Sequence, residues 1–264
     1  MLILSVILAM ISSYTLVPLL MPTVGRTRIQ NYAGRQLPTG LGLAFIFASI
    51  VVWLLFPELV AGERNLPIVV LLGFSLLGLI DDLAGDSRQR GFQGHLNAVL
   101  NGQLTTGALK AVGGAVFAFL VSRAVTESFF PAAVQALLMV LMANLINLFD
   151  LRPGRAGKLF VGISLITAIV IPGAGWLLVL TGAVIGYLPW DLREKAIMGD
   201  TGANPLGGVL GFALASSAPV WVQLVVLVMI ATLNLAAERV SFSRVIARNR
   251  VLHWLDKLGR NGGE

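Results

Sequence analysis

The amino-acid sequence predicts an all-α, polytopic membrane protein of about nine transmembrane helices, and three observations carry that prediction. Of 264 residues, 56% are hydrophobic and only 12% charged, with mean hydropathy +0.85, whereas a soluble domain carries about 25% charged residues. The uncharged residues come in runs of the length a bilayer core demands. The basic residues fall almost wholly into alternate loops. These features exclude a water-soluble globule and a disordered chain. The absence of cysteine removes disulfides, thiolate catalysis and Cys-ligated metals.

Taken in order, apolar runs over 2–24, 39–57, 66–80, 104–122 and 131–149 give the first five spans. The first run lacks a basic leading segment and is too long for a cleaved signal peptide. Two longer uncharged stretches follow, 159–190 and 201–237. At about 1.5 Å per residue either exceeds a single crossing of a roughly 30 Å core. Each is broken near its middle, by Pro172-Gly173 and by Ser216-Ser217-Ala218-Pro219, so each divides in two and the total becomes nine. Several spans are short, which tilt, local thinning of the bilayer or one hairpin fewer in the count would explain.

With nine spans, one side receives 25–38, 81–103, 150–158, 191–200 and the tail from 238. If Lys110 snorkels to that side, it holds all of the 19 Lys and Arg except Arg64 and Arg123. The rule that basic loops stay cytoplasmic then places the N-terminus outside and the C-terminus inside. An even number of spans must also separate Lys158 from Arg193, which supports both divisions. Topogenesis and contact with anionic lipid account for most of the net charge of +6.

The 13 acidic residues are more informative. Asp81 and Asp82 follow an apolar run directly. Paired carboxylates at a helix C-terminus face the negative end of its dipole and repel each other; a divalent cation or a shared proton relieves that, which points to metal-assisted phosphate chemistry. Asn144, Asn147 and Asp150 step by three and share an arc of roughly 120° on one helix. Arg152, Arg155 and Lys158 follow with Gly154 and Gly157, a mobile cationic loop suited to pyrophosphate. In Met198-Gly199-Asp200-Thr201-Gly202-Ala203-Asn204-Pro205, glycines let the backbone approach a ligand. Asn204 and Pro205 read as N-cap and first residue of the next helix, which leaves Asp200 just before a helix N-terminus, where phosphates are favoured.

In this order and on one side, the Asp81-Asp82 pair, Asn144-x-x-Asn147-x-x-Asp150 and Met198-Gly199-Asp200-Thr201-Gly202 resemble the polyprenyl-phosphate N-acetylhexosamine-1-phosphate transferases, relatives of the phospho-N-acetylmuramoyl-pentapeptide transferase. Arg35 and Pro38-Thr39-Gly40-Leu41-Gly42 are similar to the family's first cytoplasmic loop, where a basic residue and a Pro-Thr pair contact substrate. The resemblance covers nearly the whole chain. It implies Mg2+-dependent transfer of a sugar-1-phosphate from a nucleotide-sugar donor to a membrane polyprenyl phosphate, in cell-envelope polymer synthesis at a bacterial plasma membrane. It implies Asp81, Asp82 and Asp200 as catalytic, with Asp200 the Mg2+ ligand (Mn2+ as a substitute). Arg35, Thr39, Asn144, Asn147, Asp150, Arg152, Arg155 and Lys158 are implied as substrate-binding. Residues 1–238 then form one transmembrane catalytic domain and 239–264 a basic amphipathic tail. No nucleic-acid partner is implied, and a homodimer stays open.

Three departures from the family pattern bear on substrate. Leu151-Arg152-Pro153-Gly154-Arg155 stands where a second Asp for uracil is usual. Ile197 replaces an aromatic that stacks on the base. The tail has a single His253 in place of a His-rich motif. These point to a simpler donor than the muramoyl-pentapeptide. A membrane diphosphatase or a non-catalytic lipid-binding relative remains as an alternative. A transporter would put ionisable residues near mid-membrane, and here they sit at span ends. Gly182-x-x-x-Gly186 and Gly207-x-x-x-Gly211 fit close helix packing, residues 239–258 fit an interfacial amphipathic helix, and His95 reads as polar lining.

Overall fold

The computed structural model describes residues 1–84 and 106–260. Among the described residues are nine helices of 13–21 residues. They are α1 (Leu2–Leu20), α2 (Leu43–Leu55), α3 (Leu66–Ala84), α4 (Thr106–Val125), α5 (Phe129–Phe149), α6 (Arg155–Val170), α7 (Leu177–Leu192), α8 (Gly199–Ser217) and α9 (Val220–Ala237). Among the described residues five apolar segments are long enough by themselves to cross a bilayer, four in α1, α3, α5 and α9 and the fifth, Ala174–Leu192, made of α7 and the turn before it. Two short helices follow, α10 (Phe242–Arg248) and α11 (Arg250–Lys257). His95 lies outside the described residues.

Both expected breaks are present. A proline cannot donate the backbone bond that continues a helix, and a glycine tolerates left-handed backbone. Accordingly α6 stops at Val170, Gly173 takes φ +87°, and α7 begins at Leu177. Pro219 separates α8 from α9 in the same way. The all-α reading overlooked one element, an antiparallel hairpin of β1 (Arg28–Gln30) and β2 (Gln36–Pro38), which pairs Arg28 with Pro38.

The core is organised about α8. Residues Gly199 to Ala215 of that helix are almost all buried, an all-round burial that marks a helix enclosed by its neighbours. It is wedged between α3 and α5, while α1 packs on α7 and α2, and α9 on α5. Backbones approach closely wherever small residues face one another. Gly182 and Gly186 of α7 lie against the backbone of Val6 and Met10 in α1, and Gly207 and Gly211 of α8 against Met142 and Met139 of α5. The chain runs back and forth, so the last turns of α3, α5 and α7 and the first turns of α4, α6 and α8 meet at one end of the bundle. The acidic motifs are all at that end.

Candidate active site

Helix contact fixes the site's first dimension. Gly78, one turn before the Asp81-Asp82 pair, has its bare Cα against the backbone of Asp200; any Cβ there would strike the Asp200 carbonyl group. The two acid-bearing backbones therefore touch without an intervening side chain.

The first turn of α8 is capped from outside. Asp82 Oδ1 accepts the N–H of Asp200 at 3.0 Å, and Oδ2 accepts the N–H of Thr201 at 2.9 Å and its hydroxyl at 2.6 Å. Backbone N–H groups at a helix start need such acceptors. This corrects the expectation that Asn204 caps the helix before Pro205. The helix begins six residues earlier, at Gly199, with Asn204 and Pro205 buried inside it, because a carboxylate 118 positions away in the chain supplies the cap. Asp200 thus belongs to the first helical turn. Gly199 takes φ +69° and sits between the Asp82 carboxylate and the Thr39 hydroxyl, where a Cβ would meet both. Residues 38–42 are zipped onto the same loop: Ile197 N–H donates to Pro38 O at 2.9 Å, Leu41 N–H to Ile197 O at 3.2 Å and Gly42 N–H to Met198 O at 3.3 Å. Thr39 is buried in this seam.

Asp81 and Asp200 converge on one cation. The Lys110 ammonium, from α4, donates to Asp81 Oδ2 at 3.2 Å and also pairs with Asp200 Oδ2. Asn147 Nδ2, from α5, reaches the same Asp200 oxygen at 3.3 Å. Asp81, Asp200 and Lys110 each keep 23% of their side-chain surface exposed, so the cluster opens to a ligand. The two adjacent carboxylates have different tasks: Asp82 is committed to the backbone of α8, and Asp81 to the cation. The sequence reading missed Lys110 as a site residue. Its signal was present, since an ionisable residue within an apolar run ordinarily faces a partner.

A cleft of about 440 Å³ opens beside the cluster, lined by Asn31, Tyr32, Asp150, Arg152, Asp191 and Ile197 among others. The Arg152 guanidinium lies 3.9 Å from the centre of the Tyr32 ring, an arrangement that orients its remaining donors. Burial pushes the Asp150 carboxyl well above the usual carboxylate range, and the fields of Asp191, Asp200 and Asp82 add to this. Glu194 ties the hairpin to this wall by accepting from Asn31 at 3.1 Å, the Tyr32 hydroxyl at 3.0 Å and Arg35 at 3.3 Å. It does so at φ +54°, a conformation uncommon outside glycine. Asp191, Glu194 and Tyr32 carried no motif in the sequence; only the meeting of the hairpin with the end of α7 selects them.

Of the expected site residues, the structure brings together Asp81, Asp82, Asp200, Asn147 and Thr39, with Asp150 and Arg152 in the adjoining cleft. Arg35 is an exposed residue of the hairpin, paired with Glu194. Three others point elsewhere. Asn144 bonds Asn234 of α9 at 2.6 Å, so the shared arc with Asn147 does not extend to a shared ligand. Arg155 is buried, with Nε and Nη2 on Asp256 at 2.7 and 3.0 Å and Nη1 on Ser243 at 2.8 Å. Lys158 donates to the carbonyls of Leu255, Asp256 and Leu258 at 2.8, 2.7 and 3.1 Å. The loop expected to be mobile and cationic is therefore pinned by the tail, because a buried guanidinium requires a partner and Asp256 supplies it.

Comparison with known proteins gives a consistent set of likenesses. The profile of glycosyl transferase family 4 matches residues 66–218, from α3 through α8. The chain is 24% identical over 241 residues to a phospho-N-acetylmuramoyl-pentapeptide-transferase of Clostridium perfringens, covering 84% of this chain and 75% of the relative. It is 29% identical over 188 residues to the enzyme of that name from Caldicellulosiruptor bescii, covering 66% of this chain and 57% of the relative. With the Streptomyces coelicolor enzyme of that name it shares 29% identity over 241 residues, covering 71% and 66%.

Proposed function

Because the chain belongs to glycosyl transferase family 4, a family of membrane-embedded phospho-sugar transferases, we propose that it transfers a sugar-1-phosphate from a nucleotide-activated amino sugar to a polyprenyl phosphate at the cytoplasmic face of a bacterial membrane. The product would be a lipid-linked precursor of an envelope polymer. The observation that carries this reading is the convergence of Asp81, Asp200, Lys110 and Asn147 from four helices beside a cleft lined by Tyr32 and Arg152. Such a cleft suits a nucleotide: an aromatic for stacking, a guanidinium for a diphosphate.

Mg2+ fits these residues. Among the described residues no three acidic or histidine side chains make a self-sufficient ligand set, but Mg2+ is commonly held by one or two carboxylates plus substrate phosphates. Asp200 and Asp81 already meet a positive charge, the Lys110 ammonium, and would hold the ion. When bound, it offsets the negative charge of the diphosphate as the phosphoryl group moves. The rest is the work of the chain. Lys110, on a four-carbon arm, exchanges a carboxylate for a phosphate oxygen. Asn147 orients Asp200, and Asp82 fixes the backbone that carries it. An incoming phosphate monoester is already anionic at neutral pH, so it needs orientation more than it needs a base. Arg152 holds the departing nucleotide's phosphate.

Purified protein supplied with undecaprenyl phosphate and radiolabelled UDP-, CDP- and GDP-amino sugars tests the reading. Lipid-linked label with release of a nucleoside monophosphate is the expected result. Free inorganic phosphate alone would assign a diphosphatase, and binding of the lipid without turnover a non-catalytic relative.

A further inference from the structure

Helix α11 is docked the wrong way round for a helix in water. At 100° per residue, Val251, Trp254, Leu255 and Leu258 lie on one side, with His253 and Asp256 opposite. An amphipathic helix of a soluble protein buries its apolar side. Here the polar edge is fastened instead: Asp256 accepts from Arg155 and from Arg260, the latter at 2.8 Å, and the last carbonyls of the helix accept from Lys158. The apolar side is turned outward, with Val251 66% and Trp254 61% exposed and Leu255 and Leu258 nearly half exposed.

What covers that face follows from its setting. Only four residues separate the end of α9 from α10, and α9 presents Val225, Val228 and Leu235 outward as an exposed apolar surface of the same kind. The segment that carries α11 therefore starts at the end of α9, one of the apolar helices long enough to cross a bilayer. Arg250 and Lys257 flank it on α11, α10 adds the exposed Arg244 and Arg248, and Trp254 is the residue type that settles at a membrane interface. Basic side chains beside an apolar strip match an anionic lipid surface.

We propose that α10 and α11 form an interfacial strap that lays Val251, Trp254, Leu255 and Leu258 into the surface of an anionic bilayer, with the flanking arginines and Lys257 on headgroup phosphates. The strap is held to the bundle through Asp256, Ser243 and the carbonyls that accept from Lys158, so one helix is fastened on its polar edge to protein and on its apolar edge to lipid. This rests on the chain being embedded in a membrane and is independent of the transferase reading.

The chain has no cysteine, so a fluorophore on Leu255→Cys in the full-length protein reports a single position. It is to be reconstituted in phosphatidylcholine vesicles with and without phosphatidylglycerol, using acyl chains brominated near the headgroup. The expected result is quenching at least about twofold stronger than for the same label on Lys257→Cys, with the difference shrinking when phosphatidylglycerol is omitted. Val251→Cys repeats the measurement should Leu255→Cys fold poorly. A label reached by aqueous iodide as freely at 255 as at 257, without bromolipid quenching, overturns the proposal. A label shielded from both quenchers overturns it too, since a second copy of the chain would then cover the face. Quenching indifferent to phosphatidylglycerol removes the anionic headgroup from it.

Discussion

Asp82 caps a helix to which it does not belong: its Oδ2 accepts both the amide N–H and the hydroxyl of Thr201, at 2.9 and 2.6 Å. Asp81, its neighbour in sequence, instead faces Lys110 at 3.2 Å. The two acids are therefore separable by experiment. Losing an N-cap costs about 1 kcal/mol, up to roughly 2, so Asp82→Ala is expected to lower the thermal midpoint of the solubilised protein by a few degrees, together with its activity. Asp81→Asn is expected to leave the midpoint unchanged and to reduce turnover by about a hundredfold or more, roughly 2.7 kcal/mol of barrier. Equal thermal shifts in the two variants would contradict the division of tasks.

Lys110 bridges Asp81 and Asp200 and offsets part of their charge. Removing it leaves two carboxylates facing one another, which repel until a cation intervenes. Lys110→Gln is expected to turn over at least about tenfold more slowly, 1.4 kcal/mol, while Mg2+ protects it against thermal unfolding at lower concentration than it protects the parent protein. Thermal protection curves against Mg2+ supply the measurement. Asp200→Asn, which removes the shared ligand, is expected to lose both that protection and at least nine-tenths of activity.

Two glycine substitutions separate packing from propensity. Gly78→Ala pushes a methyl group into the Asp200 backbone, and overpacking of this kind costs about 1–3 kcal/mol. Gly162, in α6, faces open space, and Ala there gains up to about 1 kcal/mol of helix propensity. Thermal midpoints should move in opposite directions. A silent Gly78→Ala would mean that α3 and α8 are not in backbone contact.

The tail carries a pH dependence. Burial works against the charge on Asp256, but the Arg155 hydrogen bonds and the nearby charges of Arg155, Arg260 and Lys158 outweigh it and hold the carboxyl below the usual range. A carboxyl depressed in the folded state stabilises docking above its unfolded pKa, about 4, and loses that contribution as pH falls through the lower folded value. Limited proteolysis of residues 239–260 is expected to accelerate below about pH 4, and to be fast at every pH in Asp256→Asn. Acceleration on raising the pH instead would reverse the assignment.

The two arginines at the junction of α5 and α6 are expected to differ. Arg152, beside Tyr32 in the cleft, should govern the donor: Arg152→Ala raises KM with little change in thermal midpoint. Arg155→Ala should loosen the tail, visible by proteolysis before it is visible in KM. Parallel rises in KM for both would restore a shared phosphate role.

Long-range pairing explains what the sequence disclosed and what it withheld. The helix breaks at Pro172-Gly173 and Pro219 are backbone chemistry that any reader of the chain meets directly. The acids at helix ends were visible for a similar reason, since a carboxylate beside a span is costly without a purpose. Asn144 and Asn147 show the limit: equal chemistry at helical spacing goes to Asn234 in one case and Asp200 in the other, and the choice belongs to the neighbouring helices. Arg155 and Lys158 read as phosphate ligands only while the tail was treated as a separate segment. Asn204-Pro205 misplaced the start of α8, because a cap borrowed from α3 leaves no local trace.

The contact of Gly78 with the Asp200 backbone gives the site one rigid direction. Two main chains separated by no more than a hydrogen atom cannot close further, and prising them apart would break the three hydrogen bonds through which Asp82 holds the start of α8. Along that axis the site behaves as a fixed gauge, set by van der Waals contact between two backbones. Compliance lies across it, in the long arm of Lys110 and in Arg152, which rests on Tyr32 by stacking alone among the contacts described. Acceptors or donors of different bulk must be accommodated from those sides, so changes of substrate range are to be sought on α4 and in the hairpin before they are sought on α3 or α8.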